Sequence, residues 1–321
     1  MKKAVVFGAG GFIGSHWVEY LKAKGFWVLA VDLKHPAYFT SSADEFILAD
    51  LRNKAAMKSL WIKEATLYQF AADMGGAGYV FTGDNDAEVM TNSAQINTNT
   101  LRLSIELGIE SLFFASSACI YPRHLQRHGQ DPYLKEDDAY PAHPDSDYGW
   151  EKLFAERMYR AVQRNYGIPC RIARFHNVYG PYGVYEGGKE KAVAALCRKV
   201  ALAEEGDSVE VWGDGRQQRS FLFIEDCMEG IWHLMKASNV DSPLNIGSSE
   251  MVSINDLAKL IIKQSNKGLT LHHIDGPVGV DARSSDNTLA EETIQWRPKV
   301  SLKEGVKATY SWINEAVQAK A

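Results

Sequence analysis

A tyrosine and a lysine stand four residues apart at Tyr148 and Lys152, in the run Tyr-Gly-Trp-Glu-Lys. On a helix that spacing puts both side chains on one face. An ammonium beside a phenol favours the phenolate and lowers its pKa from about 10 towards neutrality. Such a phenolate can take the proton of an alcohol while the carbon beneath it loses hydride. The pair therefore points to reversible oxidation of an alcohol to a ketone, with Lys152 also holding a ribose. Ser117 closes an apolar run about 30 residues earlier and supplies a hydrogen bond for the same substrate oxygen.

Hydride needs an acceptor, and the N-terminus offers a place for one. Gly8, Gly11 and Gly14 fall at GxxGxxG spacing in Gly8-Ala9-Gly10-Gly11-Phe12-Ile13-Gly14, directly after an apolar strand and at the head of a helix. Residues without Cβ let the backbone approach a pyrophosphate, and the helix N-terminus presents N–H donors and the positive end of its dipole. Asp32 ends the next strand, 18 residues past Gly14. A carboxylate there accepts from both hydroxyls of an adenosine ribose and repels a 2′-phosphate, so NAD is expected rather than NADP. Asp50 and Leu51 follow the third strand, where the adenine would lie, and Ala71 follows the fourth. Both points are expected to line the cofactor, with Asp50 accepting from the exocyclic amine or standing as a surface turn carboxylate.

These groups need a scaffold that brings strand ends together. The first half of the chain alternates strands and helices. Strands are expected at Ala4–Gly8, Trp27–Val31, Phe46–Ala49, Leu67–Phe70, Leu112–Ala115 and Arg171–Phe175. Helices are expected at Phe12–Lys24 and Val89–Leu107. That order predicts an α/β fold with a doubly wound parallel sheet, a Rossmann domain over 1–176. The texture changes at Asn177, where fifteen residues to Lys191 hold four glycines and a proline. Residues 177–321 are expected to form most of a smaller, discontinuous substrate lobe, with a segment near 215–250 returning to the first domain. Strands at Val209–Trp212 and Leu244–Ile246, and helices at Met251–Lys263 and Leu302–Val317, complete the expectation.

Composition narrows the function. With 321 residues the chain can bury a full core. A formal net charge of −5 leaves no basic excess for a nucleic-acid backbone or a membrane surface. No apolar stretch is long enough to span a bilayer, and the N-terminal apolar run is too short for a signal peptide. Cys119, Cys170, Cys197 and Cys227 form no CxxC pair, so no metal site is expected and the thiols read as reduced, in a cytoplasmic enzyme.

Taken together, the glycine loop, Ser117, Tyr148 and Lys152 resemble the extended short-chain dehydrogenase/reductase family. Further peptides carry the likeness towards its 3,5-epimerases of GDP-linked sugars. They include Ala72–Gly76, Ala115–Pro122, Arg174–Pro181, Gly187–Ala192, Trp212–Gly215 and Arg219–Phe221. The resemblance implies that C4 of a sugar is oxidised transiently, which makes the hydrogens at C3 and C5 exchangeable. It implies that Cys119 and Lys191 form the acid/base pair there, one on each face of the ring. A nearby ammonium such as Lys191 is expected to depress the Cys119 pKa. Asp73, Gly75 and Gly76 would line the sugar, the glycines allowing close backbone approach. Asn177, Lys199, Arg219 and Arg283 are candidates to hold phosphate or hydroxyl oxygens. A nucleotide-sugar substrate, bound NAD and a homodimer are the implied partners. Two plainer readings stand beside this one: a small buried packing cysteine, and a solvated charged loop around Lys191. Residues 123–133 have no assigned role.

Overall fold

The computed structural model describes residues 1–127, 129–238 and 240–320. Seven parallel strands form its central sheet: β1 (Lys3–Phe7), β2 (Trp27–Asp32), β3 (Glu45–Leu48), β4 (Ala65–Gln69), β5 (Ser111–Ser117), β6 (Cys170–Phe175) and β7 (Leu244–Ile246). Their order across the sheet is β7-β6-β5-β4-β1-β2-β3. The chain thus runs one way from β1 and then the other, and ligands in such sheets sit at the carboxyl ends of the strands beside that reversal.

These sequences form this sheet because successive side chains enter two different cores. Ala4, Val6, Val28, Ala30, Phe113 and Phe175 face one side. Val5, Phe7, Leu29, Val31, Leu112 and Phe114 face the other. Helix α1 (Phe12–Ala23) seals the first side with Trp17 and Leu21, both fully buried. Helices α2 (Asp86–Leu107) and α3 (Asp147–Tyr166) seal the second, through Leu101, Leu103, Ala155 and Tyr159. Each such side chain contributes about 1.5–3 kcal/mol of burial. Strands covered on both faces read as continuous apolar runs, which is why they stand out in the sequence.

Residues beyond β6, joined by 133–134, build smaller sheets. One has four strands in the order 251–253, 218–220, 282–285, 133–134. Its central pair is parallel and sets Arg219 opposite Arg283. Helix α4 (Ala192–Leu202) begins at Lys191, and α5 (Ile224–Lys236) packs near β7. The helix expected from Met251 starts three residues later. Met251–Ser253 is a strand paired antiparallel with Gln218–Ser220. Ser253 then caps α6 (Ile254–Ser265) by accepting from the Asp256 N–H at 3.0 Å. The apolar periodicity ran through this junction, and the capping serine marks the true start. Helix α7 (Leu302–Gln318) is opened by a capping box of Ser301 and Glu304. No helix is long and apolar enough to cross a membrane, among the described residues.

Candidate active site

The turn after β1 is shaped by backbone sterics. Gly8 has φ +81°, a left-handed conformation that side chains resist. A Cβ on Gly14 would stand 2.1 Å from the Gly8 carbonyl oxygen, so only glycine lets α1 close onto the turn. Gly11 is the N-cap of α1 and provides no side-chain cap, which leaves first-turn N–H groups without a capping side chain. Phe12 packs edge-on against His16 at 5.2 Å, and Ile13 is partly buried against the core. At the end of β2, Asp32 accepts from the Gly10 N–H at 2.8 Å and from the Leu33 N–H at 2.6 Å. These bonds fix its carboxylate beside the turn. An open helix N-terminus with an anchored acidic residue next to it fits a dinucleotide with a free ribose diol.

Asp50 and Leu51 lie where the adenine was expected, but the Asp50 carboxylate is already engaged. Arg52 grips it through Nε at 2.9 Å and Nη2 at 2.7 Å, and this lowers the Asp50 pKa against the opposing pull of burial. Leu51 is buried, and its carbonyl accepts from Asn99. Ala71 lies against the turn, its N–H donating to Gln69 Oε1 at 3.0 Å. Arg52 continues to Asn92 at 2.9 Å, and Asn92 donates to Asp73 at 3.1 Å.

Asp73 also accepts from the Tyr79 hydroxyl at 2.9 Å and pairs with Lys189 at 3.4 Å. Burial raises its pKa, yet these bonds outweigh it and hold the carboxyl below its ordinary value. The neighbouring glycines are also pressed against the protein itself. A Cβ on Gly76 would lie 2.2 Å from the Glu190 carbonyl oxygen, and one on Gly75 would strike Tyr79. Gly76 N–H donates to the Lys189 carbonyl at 3.1 Å. The 72–76 loop is thereby pressed against the segment that delivers Lys191.

Tyr148 and Lys152 sit on the first turns of α3, buried and on one face. Lys152 Nζ donates to the Ala115 carbonyl at 3.0 Å and lies 5.6 Å from the centre of the Tyr148 ring. The Ser117 hydroxyl favours the Tyr148 phenolate and accepts from the Cys119 N–H at 3.2 Å. The expected lowering of the phenol is not found. Burial raises the Tyr148 pKa, the Cys119 and Glu151 charges add to that, and only Ser117 opposes. Burial likewise lowers Lys152, against the carboxylates of Glu151 and Glu156.

Cys119 stands beside Tyr148, in a buried cluster with Val80 and Val89. Its pKa is raised rather than depressed. Burial is the first cause and the Asp145 charge the second, while Arg283 pulls the other way. The cation in contact with the thiol is Arg283, whose Nη1 is 3.7 Å from Sγ, and not Lys191 as expected. Lys191 is close enough to feel the thiol. Burial lowers its pKa, Cys119 and Cys227 raise it, and Arg283 lowers it further. The net shifts favour an amine at Lys191 and a thiol at Cys119.

Three residues here were not anticipated. Asp145 binds Arg283 at 2.7 Å with its side chain wholly buried. Gln126 accepts from the same Arg283 nitrogen at 3.3 Å. Gly149 lets α3 approach, since a Cβ there would sit 2.1 Å from the Cys119 carbonyl oxygen. Only Gly149 left a local trace, as a glycine inside a helical pattern.

The expected phosphate ligands are divided. Arg219 and Arg283 are adjacent and buried. Arg219 donates to the carbonyls of Gln218, Val278 and Val280, and burial, then repulsion from Arg283, lowers its pKa. Asn177 has φ +44° and donates to the Ser220 carbonyl at 2.9 Å, clamping its own turn. Lys199 points to Glu210, donating to its carbonyl at 3.0 Å. All four cysteines are buried and free, and no metal-binding cluster occurs among the described residues.

With this geometry in hand, comparisons with known proteins add detail. A family model described as the NAD dependent epimerase/dehydratase family matches residues 4–247. The GDP-mannose 3,5-epimerase of Arabidopsis thaliana is 44% identical over 320 residues, covering 98% of this chain and 83% of the relative. The UDP-glucose 4-epimerase of Thermotoga maritima, solved with UDP-glucose, superposes with a TM-score of 0.84 at 25% identity, covering 98% of this chain and 99% of that one. The UDP-glucuronic acid 4-epimerase of Bacillus cereus, solved with UDP-glucuronic acid and NAD, gives the same TM-score, identity and coverage.

Proposed function

The chain belongs to the NAD dependent epimerase/dehydratase family, and from that premise we propose that it converts GDP-mannose to GDP-L-galactose, with some GDP-L-gulose, by epimerising C3 and C5. The supporting observation is the placement of Cys119, buried in one cluster with Tyr148 and 3.7 Å from Arg283 Nη1. The 44% identity with the Arabidopsis enzyme over nearly the whole chain supports the same substrate.

Bound NAD would supply reversible hydride acceptance for oxidation at C4. Gly8, Gly11, Phe12, Ile13 and Gly14 would hold its pyrophosphate and Asp32 its ribose. Tyr148, as its phenolate, accepts the C4 hydroxyl proton and becomes the phenol, Ser117 orients that oxygen, and Lys152 stabilises the phenolate before the transfer. With C4 a ketone, a carbanion at C3 or C5 is an enolate, so the hydrogens there become exchangeable. Inversion requires a proton taken from one face and returned on the other. Lys191, whose pKa burial lowers, and Cys119, whose pKa burial raises, would serve as the base and the acid of this exchange. Arg219 and Arg283 would pair with diphosphate oxygens, and Asp73 with a sugar hydroxyl.

The division of labour is proposed likewise: residues 1–176 with β7 bind NAD, and most of 177–321 binds the nucleotide sugar. A cytoplasmic homodimer completes the proposal. Trp150 and Phe154 are exposed on α3 and supply an apolar face for it. Incubation with GDP-mannose in D₂O, followed by NMR of the product, tests the reaction. Deuterium at C3 and C5 is expected. Inversion at C4 alone, without deuterium from solvent, would replace this reading with a 4-epimerase.

A further inference from the structure

We propose that Asp145 is a positioning residue for the site: its carboxylate pins Arg283 so that one guanidinium nitrogen rests against Cys119 Sγ, and its charge offsets the arginine's there. This deepens the epimerase reading and rests on it for the role of Cys119.

The geometry is a closed ring. Asp145 N–H donates to the Cys119 carbonyl at 3.3 Å. Asp145 Oδ2 accepts from Arg283 Nη1 at 2.7 Å, and the same nitrogen lies 3.7 Å from Cys119 Sγ. Ser146 Oγ donates to Asp145 Oδ1 at 2.8 Å and also caps α3, the helix that carries Tyr148 and Lys152. One carboxylate thus ties the thiol, the cation and the oxidising helix into a single unit. Arg283 remains incompletely used, because its buried Nε has no partner in the protein. Tethering one nitrogen to Asp145 leaves Nε as an unspent donor. The other charged and titratable groups facing Cys119 are Tyr148 on α3, Lys191 at the head of α4, and Arg219 beside Arg283.

The two ends of this pair act on the sulfur with opposite sign. An adjacent carboxylate disfavours the thiolate and an adjacent guanidinium favours it. The test measures the rate of iodoacetamide alkylation of Cys119 against pH in the full NAD-loaded chain. Peptide mass spectrometry separates Cys119 from the three other cysteines. Asp145→Asn is expected to move the midpoint down by about one pH unit, and Arg283→Gln to move it up by about as much. The double variant is expected to return near the parent. Opposite shifts cannot arise from general loosening of the fold, which would move both variants the same way. Shifts of equal sign, or no shift in either variant, would overturn the proposal. Alkylation needs no sugar, so a parent enzyme inert towards GDP-mannose would end the epimerase reading without touching this result.

Discussion

Two arginine–carboxylate pairs lie inside this molecule, and burial does not distinguish them. Side-chain exposure is 4% and 2% for Arg174 and Glu156, and 7% and 0% for Arg283 and Asp145. Saturation does. Arg174 meets Glu156 fork to fork, at 3.0 Å through Nε and 2.9 Å through Nη2, and spends Nη1 on the Tyr121 hydroxyl and the Glu136 carbonyl. Every nitrogen has an acceptor. Among the described residues, the hydrogen bonds of Arg283 run through Nη1 and leave Nε unpartnered. A buried charge with no vacancy braces a scaffold. One with an open donor, next to a thiol, has capacity left for something the chain does not contain.

The largest effect that would sharpen this contrast is chemical. Cys119→Ala removes the group that the unsaturated arginine touches. Deuterium incorporation at the exchanging carbons should fall by about 10²–10⁴-fold, the range for loss of a general acid or base. Oxidation at C4, followed as NADH absorbance in a single turnover, should survive. Unchanged exchange in this variant would return Cys119 to an ordinary packing residue.

Next comes the saturated pair. Glu156→Ala strands the Arg174 guanidinium beneath the sheet and should cost about 3–5 kcal/mol of stability in denaturant unfolding. Glu156 also lies on α3 and its charge raises the Lys152 pKa, so turnover of the folded variant should fall, but by less than in Cys119→Ala. A loss under 1 kcal/mol would mean that saturation is no guide to structural weight.

His176 lies between the two pairs and reports on both. Burial pulls its pKa down to about 3, and the charges of Arg283 and Arg174 push the same way against its bond to Asn245. The folded pKa is therefore below the unfolded value of 6.5. The unfolded chain binds the extra proton first as pH falls. Stability from this residue is complete above pH 6.5 and declines towards pH 3, by about 1.4 kcal/mol per pH unit. In His176→Asn that part of the slope should vanish, measured as the parent-minus-variant difference in unfolding free energy from pH 7 to 4. A parallel pair of curves would place the histidine's proton elsewhere.

The contrast also explains what the sequence could reveal. The glycine turn is seven consecutive residues whose meaning is backbone sterics, so type and spacing carry it whole. The sheet strands were legible because both faces are covered. Tyr148 and Lys152 were legible because helical periodicity fixes their face. Asp145 left no such signal. It sits in a polar stretch before a helix, and its partner lies 138 residues away. Which cation would reach Cys119 was equally hidden, since strand register rather than spacing sets Arg283 there. The direction of the Tyr148 and Cys119 shifts failed for a related reason. Pairwise reasoning counts a neighbouring charge, whereas burial, the larger effect, depends on everything else that packs around the group.

The finest test uses two serines that play the same part in each pair. Ser116 Oγ donates to Glu156 Oε1 at 2.5 Å, and Ser146 Oγ donates to Asp145 Oδ1 at 2.8 Å. Replacing either by alanine deletes one charge-assisted hydrogen bond and should cost about 1–2 kcal/mol. Their consequences should diverge. Ser116→Ala removes one bond to a carboxylate already held by two arginine nitrogens, so its effect should be on stability alone. Ser146→Ala loosens the carboxylate that aims Arg283 and uncaps α3 at the turn bearing Tyr148, where Gly149 N–H donates to the same hydroxyl at 3.3 Å. Its thermal loss should be similar, but the pH profile of proton exchange should move as well. Stability and pH profiles measured on both variants give the comparison directly. If Ser146→Ala keeps the parent's pH profile, Asp145 does not depend on that bond for its aim, and the α3 cap is merely structural.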